Sequence, residues 1–299
     1  MGKIQNFSIV ASFAGLWLTT LLPSSFEVIL GFLFIFSFGI FHGSNDISLI
    51  RKLSNQKSSA FSFQVFLVYI TIVLVAVLLL YIIPDVLLLL FIIFSAFHFG
   101  EQQFQHIQFH MEKKVLYLYY VLYGLTVLFL LFALNPSDVI AIVKSIANLN
   151  LTSSLINSLF SIILVSYLLT TVVLILKHRE EWKIIITEFI YLICLSVIFK
   201  VSTLIWGFTI YFIFWHSIPS LVEQVNFLFG SVNPKHMVLY IKNAFWYWLI
   251  SLIGIAMLYF VFGENTLFYS ILFSFIAAVT FPHTIVINNM FKSKKTQPN

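Results

Sequence analysis

The chain is a succession of long apolar segments separated by short polar or proline-containing breaks. Residues 63–83 and 161–176 are continuously apolar, whereas the strands of a membrane barrel alternate between apolar and polar positions in short segments. A helix that crosses a bilayer needs about 20 predominantly apolar residues, and these segments are of that order. The pattern therefore predicts an all-α protein whose helices cross a membrane many times.

Ten spans are predicted when the polar breaks are taken as boundaries. They cover residues 7–22, 25–43, 60–83, 84–104, 115–134, 152–176, 184–200, 203–225, 243–262 and 265–290. The breaks at Pro23 and Pro84 are the shortest, and proline can kink a span as well as end one. Between spans five and six, residues 136–150 carry Asp138 and Lys144 among apolar residues. That segment is predicted to be a short interfacial helix on the outer side.

The distribution of basic residues supports this number of spans. With ten spans, all but two of the 16 lysine and arginine residues fall on one side, and the exceptions are Lys144 and Lys200. Cytoplasmic loops are enriched in lysine and arginine, so both termini are predicted to be cytoplasmic. Residues 1–299 are expected to form a single transmembrane domain of the inner cell membrane, with residues 291–299 as a short cytoplasmic tail.

The composition agrees with a polytopic membrane protein. The chain is 61% hydrophobic and 9% charged, with a mean hydropathy of +1.02, which is outside the range of soluble domains. A net charge of +5 could indicate nucleic-acid binding, but the basic residues lie between the spans, where they set topology. We therefore predict no nucleic-acid partner. Cys194 is the only cysteine, which excludes an intrachain disulfide and a cysteine-rich zinc site.

Histidines inside the spans are the main candidate for chemistry. Four occur there: His42, His98, His216 and His283. Ionisable side chains within spans are costly and usually face the bundle interior. All four lie on spans predicted to run from outside to inside, and their distances from the span starts differ by at most five residues, or about 8 Å. Their shared depth predicts a common metal site, and neutral imidazoles suit iron, copper or zinc.

A carboxylate follows each of the first three histidines at a spacing that returns to the same helical face. These residues are Asp46, Glu101 and Glu223. Such carboxylates can orient ligand imidazoles from outside the ligand shell. Alternatively, they have reached the cytoplasmic headgroup region, and the sequence leaves both interpretations open.

The remaining polar residues are weaker candidates. Glu188, one turn into span seven, could belong to a buried polar network. His106 and His110 have a metal-compatible spacing, but their polar surroundings favour a solvated face. His178 and His236 lie beside lysine or arginine and are predicted to be ordinary loop residues.

Aromatic residues are abundant, with 35 phenylalanines, and many of them flank the four intramembrane histidines. Aromatic rings form rigid apolar walls that can hold a long, flat, conjugated substrate. Phenylalanine as a general membrane filler is an equally good explanation for most of these positions.

The motifs around the four histidines resemble those of a known family. The segments FGIFHGSND, SAFHFGEQQ, FWHSIPSLVEQ and FPHTIVINNM, in this order across most of the chain, resemble the Brp/Blh family of bacterial and archaeal β-carotene 15,15′-dioxygenases. The resemblance implies a membrane-embedded, Fe(2+)-dependent enzyme that uses O2 to split β-carotene at its central double bond. The product, two molecules of retinal, would supply a microbial rhodopsin.

The resemblance assigns iron-ligand roles to His42, His98 and His216, and His283 is added from its Pro-His motif and its predicted depth. The chain departs from the family pattern at Phe41, where the family has proline, and at Ile47, where it often has histidine. It also has Ser220 where a further histidine is expected. The fourth ligand is thus either His283 or a residue that this chain lacks.

Three alternatives remain. A carotenoid hydroxylase or desaturase would need eight or more histidines in tight boxes, whereas the chain has eight in total and no adjacent pair. A transporter could use intramembrane histidines and carboxylates as a relay, although no inverted repeat is evident. A catalytically inactive helper of retinal biosynthesis could retain the fold.

Overall fold

The structure is a computed structural model that describes residues 2–56, 58–105, 107, 112–177, 182–262 and 265–296. Helices are the only regular elements in these ranges, which confirms the all-α class. In order they are α1 (Gly2–Leu21), α2 (Ser24–Phe34), α3 (Ile40–Gly43), α4 (Asp46–Leu53), α5 (Ser59–Ile82), α6 (Pro84–Phe104), α7 (Lys113–Leu134), α8 (Pro136–Ala147), α9 (Ser153–Lys177), α10 (Trp182–Val201), α11 (Leu204–Ile210), α12 (Ile218–Phe229), α13 (Pro234–Phe262) and α14 (Asn265–Thr296). Two π-helical segments join them: π1 (Ile35–Gly39) between α2 and α3, and π2 (Tyr211–Ser217) between α11 and α12.

The helices confirm a polytopic membrane protein. Within the described residues, nine helical segments are long and apolar enough to cross a membrane, and they correspond to the first nine predicted spans. The tenth predicted span falls on α14, and the side chains of residues 265–274 lie outside the described part. The cytoplasmic location of the termini stays a prediction.

Several helix ends differ from the predicted boundaries. Helix α13 begins at Pro234 instead of residue 243, because proline at the first helical position loses no hydrogen bond. Helix α14 continues to Thr296, well into the predicted tail. The predicted short helix after span five is present as α8, and its interfacial position stays a prediction.

The chain divides into two compact units. The first comprises Met1–Leu33, Ser95–Lys144 and Leu149–His216, and the second comprises Phe34–Phe94, Ser145–Asn148 and Ser217–Asn299. Each unit contains two of the four intramembrane histidines: His98 and His216 in the first, His42 and His283 in the second.

In the first unit, α7 is the central helix and packs against α9, α10 and α11. Its inner face presents Tyr119, Tyr120 and Tyr123, all of which are almost completely buried. Glycines allow α6 to approach α7 closely, since Gly100 faces the backbone of Tyr120 and Gly124 faces the backbone of Ala96. Small residues at helix crossings have this effect in membranes, where close packing replaces the hydrophobic driving force.

In the second unit, α14 packs along α4, α5 and α13. One buried cluster joins α4, α12 and α14 through Leu49, Phe227, Val286, Ile287, Met290 and Phe291. A second cluster joins α5, α6 and α14 through Leu80, Leu87 and Ala277. These clusters contact α14 on both sides of His283, which is itself buried.

Candidate functional site

Three of the four histidines lie at irregular places in their helices. His42 follows π1 by three residues, and His216 lies within π2. His283 directly follows Pro282, which is inside α14. Single π-helical turns occur frequently at functional sites, and proline removes one backbone hydrogen bond from a helix. The local backbone is therefore unusual at the positions where the sequence predicted chemistry.

In the second unit, His42 and His283 form a buried edge-to-face pair. Their ring centroids are 4.9 Å apart and the ring planes meet at 88°. The Nδ1 of His42 hydrogen-bonds to the carbonyl oxygen of Gly39. A carbonyl only accepts, so Nδ1 carries the proton and, in the neutral ring, the lone pair is on Nε2. This tautomer of His42 can bind a metal through Nε2.

The Asp46 carboxylate fixes the orientation of the His283 ring, as the Gly39 carbonyl oxygen does for His42. The Nδ1 of His283 lies 2.9 Å from Oδ1 and 3.1 Å from Oδ2 of the Asp46 carboxylate. Asp46 was predicted to orient a ligand imidazole, and the ring that it contacts is that of His283, which packs edge to face against His42. Because Nδ1 of His283 faces this carboxylate, Nε2 is the ring nitrogen that could serve as a metal ligand.

The backbone of His42 is held by two further side chains. Its carbonyl oxygen accepts a hydrogen bond from Nε2 of Gln224, at 2.9 Å, and shares the single hydroxyl proton of Tyr240, at 3.2 Å, with Oε1 of Gln224. The Tyr240 hydroxyl also lies 2.9 Å from Oε1 of Gln224, and Asn45 donates to the Tyr240 carbonyl at 3.1 Å. Sequence reasoning missed Tyr240, because a tyrosine in a span has no feature that identifies its partner.

In the first unit, His98 and His216 form the corresponding pair. Their ring centroids are 4.7 Å apart and the planes meet at 78°. Nε2 of Gln102 donates to the carbonyl oxygen of His216 at 2.7 Å. The rings of Phe99 and Phe212 lie against His216, with centroids 4.7 and 5.4 Å away. These two phenylalanines are part of the predicted aromatic surroundings.

The other carboxylates have different environments. Glu101 is buried on α6, one turn beyond His98. Glu188 accepts hydrogen bonds from Nε2 of Gln103, at 2.9 and 3.0 Å, and from the Tyr123 hydroxyl, at 3.0 Å, which confirms a buried polar network. Glu223 forms an ion pair with Lys294 at the end of α14. That pairing favours the interpretation of Glu223 as a residue at the polar end of its helix.

The weaker histidine candidates contribute nothing to these pairs within the described residues. His106, His110 and His178 lie outside the described ranges. His236 was predicted in a loop and instead lies in the first turn of α13. Its ring hydrogen-bonds to Asn233 and to the backbone of Ser231, so it helps to begin that helix.

The fold and the site together define a polytopic helical membrane protein with a buried pair of histidines in each of its two units. Comparison with protein families identifies it further. A family model described as beta-carotene 15,15′-dioxygenase matches residues 33–291, and the chain belongs to this family. The matched region includes all four histidines. No significant match was found among curated proteins or among solved structures.

Proposed function

We propose that this protein cleaves the central double bond of β-carotene with O2 to give two molecules of retinal, and that it does so with a bound Fe(2+) ion. The observation that carries the proposal is the presence of two buried imidazole pairs in a chain whose family is described by this reaction. The proposed ligands are His42, His98, His216 and His283.

The donor set suits such an ion. Imidazole nitrogen is a good ligand for iron, copper and zinc. His42 and His283 both donate Nδ1–H to oxygen acceptors, which is the arrangement that orients metal-bound histidines in proteins. The depth that the sequence predicts for the four histidines supports one shared ion. When bound, Fe(2+) supplies the one-electron chemistry that lets O2 react with a closed-shell alkene.

The chain itself contributes binding, orientation and exclusion of water. β-Carotene is an apolar hydrocarbon that partitions into the bilayer, so we propose that it enters from the lipid. The Phe99 and Phe212 rings beside His216 provide flat apolar surfaces against which a polyene can lie. Burial of the histidines keeps bulk water away from the reacting carbons. The proposal requires no nucleophilic side chain.

The products would remain in the membrane. Retinal is an apolar aldehyde, and we propose that it passes through the lipid to a microbial rhodopsin. We propose that the protein lies in the inner cell membrane with both termini in the cytoplasm, on the side that carries most of its lysines and arginines. Labelling of single cysteines at each terminus in intact cells would test this orientation.

Expression in a β-carotene-producing bacterium tests the reaction. Pigments would be extracted and separated by chromatography for the wild type, for His98→Ala and for the control His236→Ala. We expect retinal from the wild type and from His236→Ala, and intact β-carotene from His98→Ala at equal expression. Hydroxylated carotenoid from the wild type would support the hydroxylase alternative. Unchanged β-carotene in cells that contain the wild-type protein would contradict the proposal.

A further inference from the structure

Tyr69 occupies an unusual position for a tyrosine in a transmembrane helix. It is the eleventh of the 24 residues of α5, and thus lies near the middle of an apolar span. Tyrosines of membrane helices are enriched at the two interfaces, where the hydroxyl meets water or headgroups. Tyr81, near the end of the same helix and 87% exposed, is of that interfacial kind. A phenol in mid-span needs a hydrogen-bond partner within the protein.

That partner is the carboxylate that orients His283. The Tyr69 hydroxyl donates to Oδ2 of Asp46 at 2.8 Å, and Asp46 is buried with 2% of its surface exposed. Oδ1 of the same carboxylate accepts from Nδ1 of His283. The three side chains come from α5, α4 and α14, all in the second unit. They form one hydrogen-bonded series from the phenol to the imidazole.

We propose that Tyr69 is a positioning residue for the metal site and acts through Asp46 on His283. This inference rests on the proposed function, because it assigns His283 to the metal. The carboxylate can rotate about its bond to Cβ unless both oxygens are held. Tyr69 holds Oδ2, which also lies 3.1 Å from Nδ1 of His283, so Oδ1 stays directed at that nitrogen, 2.9 Å away, and the ring keeps its Nε2 in one direction. Preorganisation of this kind raises metal affinity.

Packing by itself gives no reason for the hydroxyl. Phenylalanine has the same ring and avoids the cost of removing a hydroxyl from water, and the chain uses phenylalanine at 35 positions. The hydroxyl donates to a buried carboxylate oxygen at 2.8 Å, an ordinary hydrogen-bond length. The hydroxyl therefore acts on Asp46, and the Tyr69→Phe variant isolates that action because it keeps the ring.

Binding of Co²⁺ to the purified protein in lipid nanodiscs tests the inference without turnover. Co²⁺ alone would be titrated anaerobically, and its visible absorption bands would report both affinity and ligand field. We expect Tyr69→Phe to weaken binding about tenfold, the lower end of the range for residues that support ligands, and to shift the bands. The matched control Tyr81→Phe, on the same helix, should bind as the wild type does.

A double-mutant comparison separates positioning from packing. In an Asp46→Asn background, Tyr69→Phe should cause no further loss of Co²⁺ affinity, because the route through the carboxylate is already gone. Tyr69→Leu should bind Co²⁺ as weakly as Tyr69→Phe, even if loss of the ring lowers its melting temperature. Equal losses with and without Asp46 would overturn the inference, as would wild-type affinity in Tyr69→Phe. Absence of Co²⁺ binding in the wild type would refute the proposed metal site and the role of Tyr69 together.

Discussion

The crossing of α6 and α7 in the first unit tolerates no side chain larger than hydrogen at two positions. A Cβ on Gly100 would lie 2.7 Å from the Cα of Tyr120, and a Cβ on Gly124 would lie 2.6 Å from the Cα of Ala96. Real Cβ atoms essentially never come within 3.0 Å of such neighbours. The obstructing atoms are backbone on both helices, so no side-chain rotation can relieve the overlap.

The structure sets the size of the expected effect. Ordinary contact begins at 3.4 Å, and the nearest backbone atoms, the carbonyl oxygens of Tyr120 and Ala96, would lie 2.0 and 1.9 Å from the new Cβ atoms. Either alanine would therefore push the helices apart by about 1.4–1.5 Å. Overpacking of this kind typically costs about 1–3 kcal/mol. His98 is two residues from Gly100 on the same helix, and its ring pairs with His216. A displacement of about 1 Å near reacting groups can slow catalysis about a hundredfold.

The test compares Gly100→Ala and Gly124→Ala with Gly254→Ala. A Cβ on Gly254 meets nothing within 4 Å, so that variant introduces the same methyl group without overlap. Thermal unfolding in detergent and retinal formation in cells would be measured for all three. We expect lower melting temperatures and much reduced retinal for the first two, and wild-type behaviour for Gly254→Ala. If Gly100→Ala and Gly124→Ala had the same melting temperature as Gly254→Ala, α6 and α7 would not cross as closely as the structure shows.

Three further predictions concern the metal, the Glu188 network and one ion pair. A membrane-permeant iron chelator should abolish retinal formation, and added Fe(2+) should restore it; full activity in the presence of the chelator would count against the metal proposal. Glu188→Gln should destabilise the protein by about 1–3 kcal/mol, because it replaces one of the two oxygens that accept from Nε2 of Gln103 with an NH2 group that cannot accept. Adding Gln103→Glu should restore part of the lost stability, measured as the melting temperature. Lys294→Ala should cost no more than about 1 kcal/mol, because its ion pair with Glu223 is partly exposed, and a larger drop in melting temperature would show that this pair is structural.

The four candidate histidines were identifiable from the sequence because a titratable group inside an apolar run conflicts with its surroundings. His98 and His216 have this property wherever the helices pack. The partners of those histidines were not identifiable in the same way. Asp46 was associated with the nearest histidine along the chain, yet it contacts His283, which is 237 residues away. Spacing within one helix cannot show which side chain of another helix packs against the same face.

The order of apolar and polar residues is sufficient to predict that the chain is helical, that it crosses a membrane many times, and which four histidines are candidates for chemistry. These properties depend on how each segment partitions between water and lipid, which local composition controls. Which side chains contact one another depends on how the helices pack in three dimensions. Examples are the hydrogen bond from Tyr69 to Asp46, the contacts of Gln224 and Tyr240 with the backbone of His42, and the close approach of α7 to Gly100. Each of these contacts depends on which faces of separate helices pack together. Apolar helices in lipid look alike along most of their surface, so the order of residues along one helix carries little information about its neighbours.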